Sequence, residues 1–70
     1  MQYMENLIGR QICERRKDLN ITQAKLAQLA GIGLNSLSRL ESGKGNPTLK
    51  SLQKIADILG FELKFAVREK

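Results

Sequence analysis

The sequence contains no histidine and a single cysteine, Cys13, in 70 residues. A disulfide within the chain is therefore impossible. A structural zinc site, which draws on several Cys or His ligands, is excluded with it. Cys13 stands among apolar positions at helical spacing, which predicts a buried and inert thiol. Long apolar runs are missing too, since nothing approaches the roughly 20 residues that span a bilayer. The opening "MQYMENLIGRQ" lacks the basic-then-apolar order of a signal peptide. These absences point to a cytoplasmic chain with no membrane contact. Without histidine, a paired-carboxylate site or a glycine-rich loop after a strand, the chain lacks the usual equipment of an enzyme, and no cofactor is expected. A chain of 70 residues buries only a small core. Helix packing and a second copy of the chain remain as sources of stability.

The net charge is +5, and its distribution says more than its size. Residues 1–22 carry four bases and three acids, and residues 55–70 carry three of each. The middle, residues 23–54, holds Lys25, Arg39, Lys44, Lys50 and Lys54 against Glu41 alone, an excess of +4. A basic patch of this kind fits a polyanion partner, and a solvated surface is the plainer alternative.

Apolar spacing divides the chain into short helices. Residues 5–18 read as the first, with Leu7, Ile8, Ile12, Leu19 and the stems of Arg15 and Arg16 near one face. Thr22 is a good N-cap for a second helix from Gln23 to Ala30, whose stripe is Leu26, Ala27 and Ala30. Gly31 suits the left-handed conformation that ends a helix. Only Ile32 and Gly33 separate it from a third helix of about residues 34–42, anchored by Leu37 and Leu40. "GKGNP" is a strong break. Thr48 caps a fourth helix with Leu49, Leu52, Ile55, Ala56 and Leu59 as its buried stripe, and Gly60 ends it. The expected architecture is an all-α bundle over residues 1–60, with residues 61–70 as a separate tail.

That tail changes period. In "FELKFAVR", Phe61, Leu63, Phe65 and Val67 alternate with polar or small residues, the pattern of a half-buried strand. A lone strand leaves its backbone groups unpaired. The N-terminal "MQYM" offers a weak partner. The same strand of a second copy offers a better one, and predicts an isologous homodimer. The alternative is a strand packed on its own helices.

A short helix, a tight glycine-containing turn and a second short helix form a helix-turn-helix pattern. "QAKLAQLAGIGLNSLSRLES" carries it, with Ala27 at the crossing, Gly31 in the turn and Ile32, Leu37 and Leu40 as inward anchors. "TQAKLAQLAGI" and "SLSRLESGKGNPTLKSLQKIADILG" resemble the Xre/Cro family of phage and bacterial repressors over about residues 5–60. The resemblance implies a lambda-repressor-like bundle of four or five helices. It also implies that Gln23 meets a DNA phosphate, with Lys44, Gly45 and Asn46 as a second phosphate clamp to which Lys50 adds. Arg16 and Glu41 match a partly buried ion pair of some family members. A phosphate contact is the alternative for Arg16.

The third helix would then enter the major groove. Asn35 can make a bidentate contact to adenine and Arg39 to guanine, while Leu34 can pack on a thymine methyl and Ser38 can reach a base or a phosphate. The family often has Ser, Thr or Gln where this chain has Gly33 and Leu34, so contacts from those two positions depart from the pattern. For Leu34 the alternative is packing at the helix start.

The expected function is sequence-specific binding of double-stranded DNA by a dimeric repressor that reads a pseudo-palindromic operator. The C-terminal segment looks like that of HipB-type antitoxins, which implies an autoregulated toxin–antitoxin operon and a HipA-like kinase as toxin partner. The alternative from another class is a protein-interaction module with the same fold and no specific DNA binding.

Overall fold

The computed structural model describes residues 2–64 and Val67, with side chains from Leu7 onward. Four helices follow one another: α1 (Gln2–Asp18), α2 (Gln23–Ala30), α3 (Leu34–Glu41) and α4 (Leu49–Leu59). Helix α1 packs against α3 and α4, and α2 packs against the same two, so each of the first pair bridges the second. Ile12, Leu26, Ala27, Ala30, Leu37, Leu40, Ile55 and Leu59 form one buried cluster, flanked by Ile8, Ile21, Ile32, Leu52 and Ile58. No described helix is long and apolar enough to cross a membrane.

The helix ends follow local chemistry. The Thr22 hydroxyl accepts a hydrogen bond from the Lys25 amide at 3.0 Å, and Thr48 does the same for Ser51 at 3.0 Å. Gly31 and Gly60 end α2 and α4 at φ 69° and 82°, where a Cβ would be strained. From Gly31 the chain turns at once, with the Ile32 amide donating to the Ala27 carbonyl at 3.0 Å. Arg15 closes the end of α4 from the outside, its Nε donating to the Leu59 carbonyl at 2.8 Å.

Several expectations about burial need correction. Helix α1 starts at Gln2 rather than near residue 5, so Gln2–Met4 are helical and supply no strand. Leu7, Leu19 and Leu49 are 43%, 39% and 64% exposed rather than buried. Leu49 occupies the first position of α4. Helical side chains lean toward the N-terminus, and there Leu49 overhangs the end of the bundle.

The C-terminal strand is likewise absent among the described residues. Residues 61–64 and Val67 follow α4 without regular structure, and Phe65 lies outside the described residues. A strand exists only with a ladder partner, and the N-terminal segment that might have served is folded into α1.

One close approach sets the α1–α3 crossing. Gly9 is buried in the middle of α1, and a Cβ there would collide with the backbone carbonyl of Leu40 and lie 3.1 Å from that of Glu41. The absent side chain lets α1 lie directly on the end of α3. Cys13 and Arg16 follow on the same face at helical spacing.

Candidate nucleic-acid interface

The Leu37 and Leu40 side chains fix α3 to the bundle, at 0% and 3% exposure. Its other residues face outward, apart from Glu41 at the end of the helix. Leu34, Asn35, Ser36 and Arg39 are exposed, and Ser38 is half-buried. Asn35 and Arg39 stand four apart, one above the other on a single face, as do Leu34 and Ser38.

Arg39 is supported by the loop that follows. Its carbonyl accepts from the Lys44 amide at 2.8 Å. Its side chain lies along Gly45, where an added Cβ would sit 3.6 Å from the Arg39 Cβ and 3.7 Å from its Nε. Gly45 itself has φ 83°, a conformation glycine adopts without strain. Together Ser36, Arg39, Leu40, Lys44, Gly45, Asn46 and Pro47 line a cleft of about 130 Å³. Ser36 belongs to this group although its sequence position gave no signal beyond lying on the polar side of α3.

Helices α2, α3 and α4 carry no acidic residue in their first turns. Their positive dipole ends carry no acidic side chain of their own, which suits a phosphate. Lys50 stands exposed in the first turn of α4, where a cation opposes the dipole of its own helix. Lys25 and Lys44 are exposed as well. Lys54 differs, since its ammonium approaches Gly31 and so lies at the C-terminal end of α2, which attracts cations.

Behind this surface is a buried ionic cluster. The Arg16 guanidinium donates to both Glu41 oxygens, from Nε at 2.7 Å and from its NH2 nitrogen at 3.0 Å. Its third nitrogen donates to the Ile21 carbonyl at 2.8 Å. The two side chains are 10% and 4% exposed. With these donors engaged inside the bundle, Arg16 is not placed as a phosphate contact. Gln23, at the start of α2, donates from Nε2 to Glu41 at 2.9 Å. Cys13 is only half-buried and lies beside the Arg16 guanidinium, at 3.8 Å. Burial pushes the Glu41 carboxyl up, but hydrogen bonds from Arg16, Gln23 and Cys13 outweigh it, and the pKa is lowered overall. The bond to Glu41 raises that of Arg16 against the opposing effect of burial. No buried side-chain nitrogen or oxygen among the described residues lacks a partner.

An apolar cleft of about 110 Å³ opens between α1, α4 and the chain after Gly60. Its lining includes Ile8, Ile12, Leu52, Ile55, Phe61 and Leu63. Phe61, Leu63 and Val67 are 37%, 40% and 93% exposed.

Two short helices joined through Gly31, Ile32 and Gly33, the second held by two leucines and presenting its polar side outward, define a helix-turn-helix domain. The helix-turn-helix family model matches residues 13–65, and the chain belongs to that family, in its Xre/Cro type. It is 46% identical over 52 residues to the cryptic phage CTXphi transcriptional repressor RstR of Vibrio cholerae, covering 74% of this chain and 46% of the relative. Identity is 32% over 62 residues with the immunity repressor protein of Bacillus phage phi105, covering 89% and 43%. It is 39% over 51 residues with an uncharacterized HTH-type transcriptional regulator of Methanothermobacter thermautotrophicus, covering 73% and 74%. The chain thus spans less than half the length of the first two relatives.

Proposed function

We propose that this chain is a sequence-specific DNA-binding transcriptional repressor that acts as a homodimer on a pseudo-palindromic operator. The observation that carries the reading is the outer side of α3, where Asn35 and Arg39 stand in line beside a basic loop. Asn35 and Arg39 read base edges, with Leu34 against a thymine methyl and Ser38 at a base or phosphate. Gln23, Lys44, Gly45, Asn46 and Lys50 hold the backbone on either side. The repressors of Vibrio cholerae and Bacillus phage phi105 named among the relatives support repression.

Phosphate contacts release counterions, so affinity for a DNA duplex should fall steeply and linearly with salt on logarithmic axes. A flat response would leave the protein-interaction module as the better reading.

The dimer draws on the apolar cleft between α1 and α4, lined in part by Phe61 and Leu63, and on the alternating pattern that continues through Phe65 and Val67. Pairing of the C-terminal segments between copies would give that pattern its missing ladder. Sedimentation of the full chain tests this: Phe61→Asp with Leu63→Asp should shift a dimer to monomer, and an unchanged mass would remove the cleft from the interface.

The narrower role, an antitoxin that represses its own operon beside a HipA-like kinase, rests on the C-terminal segment alone. A neighbouring toxin gene whose product co-purifies with this chain would support it, and failure to co-purify counts against it.

A further inference from the structure

We propose that Glu41 is a positioning residue for Gln23, so that the buried ion pair also sets the phosphate contact. This rests on the reading that Gln23 meets a DNA phosphate. Gln23 is half-buried at the first position of α2, and its Nε2 donates to Glu41 at 2.9 Å. Glu41 is itself held in place, with its side chain 4% exposed and both oxygens bonded by Arg16.

A carboxylate only accepts hydrogen bonds, so Gln23 must turn its NH2 group, not its carbonyl, toward Glu41. That removes the two-fold ambiguity of the amide. One N–H is held by Glu41, and the other, with the carbonyl oxygen, remains for a partner outside. The helix end beside it carries no acidic residue in its first turn. A phosphate oxygen arriving there meets a donor already oriented, and the cost of ordering a long side chain on binding is removed.

The arrangement joins three helices at one carboxylate: α1 through Arg16, α2 through Gln23 and α3 through Glu41 itself. A glutamine at position 41 would break it. It has one oxygen, which Arg16 would take, leaving an NH2 group facing the NH2 of Gln23. The Gln23 amide would then turn over or detach.

The test is a double-mutant cycle on the full chain with a random-sequence DNA duplex as the probe, which reads phosphate contacts and no operator. Affinity and its salt slope are measured for the wild type, Glu41→Gln, Gln23→Ala and the double variant. Gln23→Ala should weaken binding and leave the salt slope unchanged, because a neutral amide displaces no counterion. Glu41→Gln should weaken binding about three- to tenfold when Gln23 is present, and not when residue 23 is alanine. Equal effects of Glu41→Gln in both backgrounds would overturn the positioning role and leave the phosphate contact standing. No effect of Gln23→Ala would overturn the phosphate contact and the proposal together. Should Glu41→Gln fail to fold, NMR of the wild type decides. The Gln23 side-chain amide protons should shift as Glu41 is protonated, and a response indistinguishable from the exposed Gln28 would overturn the proposal.

Discussion

Arg16 and Glu41 are 25 positions apart in the chain and 2.7 Å apart in the fold. The pair ties the last turn of α1 to the last residue of α3, and through Gln23 it reaches the start of α2. A buried pair of this kind adds little compared with well-packed apolar groups, but removing one partner strands the other.

Arg16→Met should therefore cost about 3–5 kcal/mol in urea unfolding, a large fraction of what a domain of this size possesses. Arg16→Met combined with Glu41→Leu should recover most of that loss. A double variant as unstable as the single one would mean that packing, not the stranded charge, sets the cost.

The lowered pKa of Glu41 gives stability a defined pH dependence. Below the ordinary carboxylate pKa of about 4 the unfolded chain takes up a proton that the folded chain still refuses. The contribution of Glu41 is thus complete at neutral pH and is lost as pH falls through its lowered folded value. Melting temperatures measured from neutral pH into the acid range should fall less for Glu41→Gln than for the wild type. Parallel curves would refute the lowered pKa.

Gly9→Ala should destabilise the bundle by about 1–3 kcal/mol, as overpacking does. In an open helix the same change would stabilise by up to about 1 kcal/mol. The sign is set by the Leu40 and Glu41 carbonyls, which leave no room for a Cβ. Thermal or urea unfolding of the variant checks it, and a more stable variant would show that α1 can move off α3 without cost.

Arg39→Ala should weaken binding to the operator by about 1–3 kcal/mol while sparing random DNA. Equal losses on both would turn Arg39 from a reader of bases into a phosphate contact. Competition binding with the two duplexes separates these outcomes.

Much of the bundle is legible in the sequence. The caps Thr22 and Thr48, the turn at Gly31 and the stripes Leu26–Ala27–Ala30 and Leu37–Leu40 follow from local conformational preference and the 3.6-residue period. These depend on neighbours along the chain, so local sequence is enough to specify the helices and the outward side of α3. Burial at the ends of helices was not legible. The periodicity of Leu49 is that of the stripe it begins, yet at the first position of α4 it stands in solvent. The alternation from Phe61 to Val67 marks a strand wherever a ladder partner exists, and the fold of the single chain supplies none to residues 61–64.

Tertiary structure alone decided the role of Gly9 and the link between Gln23 and Glu41. An isolated glycine in a helical pattern signals a close approach but not to what, and a glutamine at a helix start signals solvent as readily as a carboxylate 18 positions away. Both depend on how α1 crosses the end of α3. That crossing is set by packing three-dimensional surfaces together, a constraint that no spacing along one chain encodes.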